Sequence, residues 1–232
     1  MLIMIDFKYF SLDEANRARG LVVVIDVLRA FSTAAYAFNA GAEKIMPVAG
    51  VEEALQLKQR IPGSLVMGEV DGIKPLEFDF GNSPADISTL DLNGKTMIQR
   101  TSAGTQGIVL AENAKQLFAA SFVVAKATAK KIQRLNPEVV SFIITGESLG
   151  RDGDEDRACG EYIHALIEDP AADHTAFIDR VGNSSAGKSF LGGSDLIGLK
   201  EDYKMSIQSN LFSFTLPVHR DGSLFIMCCD QL

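Results

Sequence analysis

Asp26 and Arg29 stand three residues apart, directly after the apolar and mostly β-branched run Leu21-Val22-Val23-Val24-Ile25. A continuous run of this kind reads as a strand buried on both faces. Ser32 or Thr33 is placed to cap a helix that follows. Asp26 and Arg29 would then lie at the carboxyl end of a central strand, where open α/β sheets bind ligands. A carboxylate beside a guanidinium suits a metal ion next to a phosphate or another anion. The same two residues could equally be a pair that only fixes the loop.

Other strand-like segments end on residues with chemistry. Residues 64–70 deliver Glu69, and the Gly- and Pro-rich stretch that follows carries Lys74, Asp79 and Asn82. Loops as long as 71–91 are usually functional in compact domains. Residues 95–100 run into Thr101-Ser102-Ala103-Gly104-Thr105, which has small side chains, three hydroxyls and a glycine, and leads into a helix. Such a turn resembles a phosphate cradle at a helix N-terminus, although an ordinary capped turn looks the same. Residues 139–145 open into Gly146-Glu147, and Glu155-Asp156 stand just before another helix. If these strands are parallel, all of these groups meet on one sheet edge, and that convergence points to a site more than any single residue does. The carboxylates suit Mg²⁺, a hard ion held by a few carboxylates plus water and phosphate oxygens.

The elements needed to position them alternate in a βαβα rhythm. Strands are expected at 21–25, 44–48, 64–70, 95–100, 116–121 and 139–145. Helices are expected at 32–39, 51–60, 106–113, 123–135 and 158–167. This predicts a three-layer α/β/α fold with a mixed, largely parallel sheet. Residues 212–218 and 224–228 flank Arg220-Asp221-Gly222, which predicts an antiparallel C-terminal hairpin added at one edge. No linker or repeat divides residues 1–232, so one domain is expected.

Composition narrows the functional classes. The 232 residues are 47% hydrophobic, enough for one substantial core. The net charge of −8 argues against broad nucleic-acid binding and requires a local basic pocket or a metal for an anionic substrate. No apolar run is long enough to span a bilayer. Three cysteines without a C-x-x-C pair argue against a disulfide framework or structural zinc, and a cytoplasmic setting with buried thiols at Cys228 and Cys229 is expected. Gly182-Asn183-Ser184-Ser185-Ala186-Gly187-Lys188-Ser189 matches the nucleotide-binding pattern G-x-x-x-x-G-K-S. The segment before it is short and charged, however, and the helix after it soon meets Gly192-Gly193. A flexible loop and helix cap is therefore the favoured reading of 182–189. A nucleotide-dependent enzyme remains the alternative, with a non-catalytic small-anion-binding protein as a third class.

Taken together, several segments resemble the signature of the 2-phosphosulfolactate phosphatase family. These are Val24-Ile25-Asp26-Val27-Leu28-Arg29-Ala30, Gly68-Glu69, Phe78-Asp79-Phe80-Gly81-Asn82-Ser83-Pro84, Gly94-Lys95 with Thr101 to Thr105, and Glu155-Asp156-Arg157-Ala158-Cys159-Gly160. Their order and spacing match over roughly residues 20–165. The chain departs from the family at Ser102-Ala103, where Thr-Asn is usual, and at Gly160-Glu161, where Ala-Gly is usual. The resemblance implies a Mg²⁺-dependent acid phosphatase of α/β/α fold that hydrolyses (2R)-2-phospho-3-sulfolactate, a step that belongs to coenzyme M biosynthesis in some organisms. On that basis Asp26, Glu69 and Asp156 are expected to hold Mg²⁺, with Glu155 in reserve. Arg29, Lys74, Asn82, Thr101, Ser102, Gly104 and Thr105 are expected to bind the substrate. Asp26, Glu147 and Glu155 are the candidate catalytic carboxylates: Glu147 would activate water, or Asp26 would itself take the phosphoryl group. The expected partner is a small anionic phospho-acid, with no nucleic acid and no membrane, and a homo-oligomer is left open.

Overall fold

The structure, a computed structural model, describes residues 4–148, 150–192 and 198–232; Gly193 lies outside them. Strand β1 (Asp6–Ser11) is followed by a 3-10 turn and by β2 (Gly20–Ile25), whose residues from Leu21 onward are all buried. Burying each such aliphatic side chain stabilises the fold by about 1.5–3 kcal/mol relative to exposure. Then come α1 (Ala30–Asn39), β3 (Lys44–Val48), α2 (Val51–Arg60) and β4 (Leu65–Gly68). The long segment after β4 contains one short helix, α3 (Pro84–Ile87). Next are β5 (Thr96–Arg100), α4 (Gly104–Leu110), β6 (Ala114–Ala120), α5 (Ala125–Leu135), β7 (Val139–Ile144) and α6 (Asp154–Glu168). The chain closes with α7 (Thr175–Asn183), α8 (Ser185–Gly192), α9 (Leu199–Ser206), β8 (Phe214–Asp221), β9 (Leu224–Met227) and the short β10 (Asp230–Gln231).

Helices cover both sides of a mixed sheet, as the alternating pattern predicts. The sheet order is β1-β7-β2-β6-β8-β9-β3-β5-β4. Two parallel blocks, β1-β7-β2-β6 and β3-β5-β4, are joined by the antiparallel hairpin β8-β9. The hairpin is therefore central, not an edge addition. Asp221 pairs with Leu224, so its turn is Gly222-Ser223, with Gly222 at φ 61°. Its strands are buried at Phe214, Leu216, Val218, Phe225 and Met227, which explains the inside position.

Because β8 is antiparallel to β6 and β9 is antiparallel to β3, the two blocks run in opposite directions along the ladder. The expectation of one shared carboxyl edge is corrected accordingly. Sheet twist brings the ends together by another route. Five steps separate β2 from β5, and at roughly 20–25° each they accumulate to about 100–125°. Opposed strands are thereby turned into crossing ones, and the carboxyl ends of β2 and β7 face those of β4 and β5 across a cleft.

Helix α1 is apolar on all sides and is buried from Ala30 to Phe38, as such a helix must be. It begins two residues earlier than expected. Ser32 and Thr33 lie inside it and do not cap it; the Ser32 hydroxyl donates to the Val27 carbonyl at 2.8 Å. The capping group is the Asp26 carboxylate, whose Oδ1 accepts the Ala30 N–H at 2.9 Å. Helix α6 begins four residues earlier than expected and takes Asp154, Glu155 and Asp156 into its first turn, where the helix dipole favours acids. The thiols are free; Cys159 is buried, whereas Cys228 and Cys229 are half-buried. No helix of the described residues is long and apolar enough to cross a membrane.

Candidate active site

Asp26 sits at the point where the two blocks meet. Two hollows of about 370 and 580 Å³ open on either side of it and share Asp26, Leu28, Ala103, Arg151 and Phe190, so they form one cleft. That size suits a small polar metabolite. One lobe is lined by Glu155, Asp156, Asp152 and Ser185, and the other by Arg29, Glu69, Asp71, Asn82 and Ser102. A separate hollow of about 440 Å³ lies beside Lys115, His219 and Arg220. Among the described residues its one lining carboxylate is Glu112, which is exposed, so the buried acid cluster is a property of the Asp26 cleft.

The carboxylates differ in what they are free to do. Asp156 is fully engaged in building the site. Its Oδ1 accepts the Val27 N–H at 2.7 Å, and its Oδ2 accepts the Gly146 N–H at 2.7 Å and the Thr145 hydroxyl at 3.1 Å. It thereby ties the end of β2 to the end of β7. Glu69 does the same for β4 and β5. It accepts the N–H groups of Ser102 and Gly72 at 2.6 Å each, and the Ser102 hydroxyl at 3.1 Å. Among the described residues no three acidic, histidine or cysteine side chains are gathered to hold one metal ion. Asp26, Glu69 and Asp156 are therefore not brought together as a three-carboxylate centre, because the latter two spend their oxygens on loop N–H groups.

Asp26 and Glu155 are less fully tied to the loops. Asp26 spends Oδ1 on the Ala30 N–H and has the Thr145 hydroxyl close by, and its Oδ2 lies where Gly104 lacks a side chain; a Cβ there would come within 2.8 Å of it. Glu155 Oε2 is buried without a partner among the described residues, and its Oε1 lies against Gly146, the one residue type that leaves it room. Burial, and then the Asp26 charge, pushes Glu155 up to about 7. Burial and the Glu69 charge push Asp26 up to about 6. Burial, followed by the charges of Glu155 and Asp26, raises Asp156 well above the usual carboxylate range. Such mutual repulsion is stored where a proton or a cation is to be accepted.

The remaining expected residues separate into those in the cleft and those outside it. Arg29 lines the cleft, with Nη1 3.4 Å from Asp202 and its guanidinium 5.5 Å from the Phe190 ring centre. Asn82 lines the same lobe and is buried with Oδ1 unpartnered. Lys74 does not line it; its ammonium donates to the Phe78 carbonyl at 2.9 Å and pins its own loop. Glu147 is also outside, 2.5 Å from Arg157. Thr101 and Thr105 are buried and satisfy each other, the Thr101 N–H reaching Thr105 Oγ1 at 2.8 Å and the Thr105 N–H reaching Thr101 Oγ1 at 3.0 Å. The turn is thus a self-capped element, and Ser102 and Ala103 are the parts that face the cleft. Gly104 contributes by its closeness to Asp26.

Arg151 and Phe190 line both lobes, and neither stood out in the sequence. Arg151 belongs to the charged loop after β7, and its Nη2 donates to the Ser148 hydroxyl at 2.8 Å. Phe190 belongs to the segment that mimics a nucleotide-binding loop. No strand precedes that segment: Gly182 and Asn183 end α7, Ser184 links the helices, and Lys188 is exposed on α8. Residues 182–189 therefore form a helix–helix corner, which contradicts the nucleotide-loop reading.

The chain is similar in sequence to proteins of one named family. The family described as 2-phosphosulpholactate phosphatase matches residues 9–219. A Bacillus subtilis (strain 168) protein named "Probable 2-phosphosulfolactate phosphatase" is 34% identical over 205 residues, covering 87% of this chain and 88% of its own. Proteins of the same name from Carboxydothermus hydrogenoformans and Clostridium acetobutylicum are 45% and 37% identical over 136 and 148 residues. These stretches cover 59% and 63% of this chain, and 56% and 62% of theirs.

Proposed function

The chain belongs to the 2-phosphosulpholactate phosphatase family, and from that premise we propose that it hydrolyses (2R)-2-phospho-3-sulfolactate to 3-sulfolactate and phosphate in the cleft around Asp26. The observation that carries the reading is the pairing, at one point, of a buried carboxylate that lines both lobes (Asp26) with a buried acid poised near neutrality (Glu155), whose Oε2 has no partner among the described residues. A site that only held a partner or a loop would have these groups satisfied.

The cleft fits a divalent cation. Among the described residues its lining holds seven carboxylates, Asp13, Asp26, Glu69, Asp71, Asp152, Glu155 and Asp156, against two guanidiniums, Arg29 and Arg151. A substrate carrying phosphate, sulfonate and carboxylate enters such a field only with added positive charge. Mg²⁺ commonly uses one or two protein carboxylates, with water and phosphate oxygens as its other ligands. Asp26 Oδ2 is the ligand this chain offers, and the ion would neutralise charge on the phosphoryl oxygens.

The chain's own groups do the rest. Arg151, at the junction of the lobes, orients the phosphoryl group. Water attacks phosphorus opposite the 2-oxygen, and the bond from phosphorus to that oxygen breaks. The departing oxygen takes the proton held by Glu155, while the attacking water loses its own proton to solvent. In the rival route Asp26 attacks first and water then cleaves the phospho-aspartate. An acid-quenched single turnover separates the two, because a phosphoryl group recovered on the Asp26 carboxylate excludes direct attack.

Cation dependence is tested in two ways. Chelation is expected to stop phosphate release and Mg²⁺ to restore it. Without substrate, Mg²⁺ is expected to raise the melting temperature more at pH 7.5 than at pH 5.5, where the acids keep their protons. Full activity in chelator together with no cation-induced shift in melting would contradict this assignment.

A further inference from the structure

Asp202, in α9, lies 173 residues from Arg29 in sequence and touches no part of the carboxylate cluster, yet it is almost wholly buried. It binds three groups at one end of the cleft. Its Oδ2 is 3.4 Å from Arg29 Nη1, and its Oδ1 accepts the Ser83 hydroxyl at 2.6 Å and the Ala85 N–H at 3.2 Å. One carboxylate therefore fixes both Arg29 and the backbone next to Asn82. Phe190 packs beside the guanidinium, so its orientation is set from two directions. Among the described residues, one of the five Arg29 N–H donors has a protein partner. Asn82 is 6% exposed and lines the same lobe with its amide oxygen unpartnered. The amide can present oxygen or nitrogen at that point. Arg29 thus offers preformed N–H donors that no described residue besides Asp202 receives, with the Asn82 amide beside them in the same lobe.

We infer that the Arg29–Asn82 end of the cleft, braced by Asp202, seats the sulfonate of the substrate, leaving the Asp26–Glu155 end to the phosphoryl group. The inference rests on the phosphatase reading and adds the orientation of the substrate within it. The chemistry of the two anions assigns the ends. A sulfonate spreads its charge over three weakly basic oxygens, so it is a poor ligand for a hard cation and is held by N–H donors. A phosphate monoester is a stronger base and pairs with a cation at a carboxylate. Asp202 acts through Arg29 and Asn82 and is a positioning residue.

Substrate truncation tests the assignment. The kcat/KM for phosphosulfolactate is divided by that for 2-phospholactate, which has a methyl group where the substrate has its sulfonate-bearing carbon. Losing hydrogen bonds to a charged group costs about 10- to 100-fold in binding. Arg29→Gln is expected to lower the ratio by that factor, Asn82→Ala by about tenfold, and Asp202→Asn by an intermediate amount. Arg29→Lys should recover part of the loss. A purely structural role for these residues would depress both substrates alike and leave the ratio at its wild-type value, which would overturn the assignment. Asn82→Ala carries the same test if the Arg29 variants fail to fold. Failure of the wild-type protein to release phosphate from either substrate would overturn the phosphatase reading itself, and the seat with it.

Discussion

Asp26→Asn is expected to lower kcat/KM for phosphosulfolactate by about 10³-fold or more, as removal of a central electrostatic group does, while the fold becomes no less stable. The asparagine oxygen can still accept the Ala30 N–H that caps α1. What disappears is the negative charge of Oδ2, the group that would hold the cation or attack phosphorus. The same charge is unfavourable to the metal-free fold, because burial lifts Asp26 to about 6. Kinetics together with a thermal melt at pH 7.5 checks both halves. Activity within tenfold of wild type would remove Asp26 from the reaction.

Glu155→Gln should separate stability from activity still more clearly. Burial and the Asp26 charge raise Glu155 from the ordinary 4.5 to about 7, so between those values the folded protein holds a proton that the unfolded chain has released. Stability is therefore greatest below the ordinary value and is lost as pH rises through about 7. The loss is on the order of 2–3 kcal/mol in the metal-free protein. Gln carries no charge to bury, so the variant should melt about 4–12 °C higher than wild type at pH 7.5. That difference should vanish below pH 4.5. Its kcat should fall by about 10²- to 10⁴-fold, the usual range for a lost proton donor. The wild-type kcat should decline with rising pH as Glu155 loses its proton. A variant that melts at the wild-type temperature across this range, or one that keeps the wild-type pH profile, would contradict the role given to Glu155.

The parts of the fold that follow local rules were legible. The run Leu21–Ile25 is a strand because it is apolar on both sides, and α2 occupies residues 51–60 because its apolar positions recur with helical spacing. The direction of the second block was not legible. Nothing in residues 44–100 records that a hairpin more than a hundred residues later will insert between β6 and β3. The inside position of that hairpin depends on tertiary burial of Phe214, Leu216 and Met227, which look the same in an edge strand.

The site was legible in proportion to how local its chemistry is. Asp26, Arg29, Glu69, Ser102, Glu155 and Asp156 follow strands directly or begin helices, and all reach the cleft. Lys74 and Glu147 have the right charge at plausible positions, but Phe78 and Arg157 take their charged groups elsewhere. Thr101 and Thr105 have the composition of an anion cradle, yet at that spacing two threonines satisfy each other. Asp202 and Phe190 had no local signal, because their meaning comes from a contact with Arg29 across more than 150 residues. The apparent nucleotide loop illustrates the converse: a specific pattern of residue types loses its meaning when a helix, not a strand, precedes it.

The most direct test of the account is a single-turnover assay of the purified wild-type protein with (2R)-2-phospho-3-sulfolactate and Mg²⁺. Phosphate and 3-sulfolactate are measured together, and a thermal melt is recorded with the same ester. One phosphate and one 3-sulfolactate are expected per substrate molecule. An ester that raises the melting temperature but is recovered intact would contradict it, and would make the cleft an anion-binding site without hydrolysis.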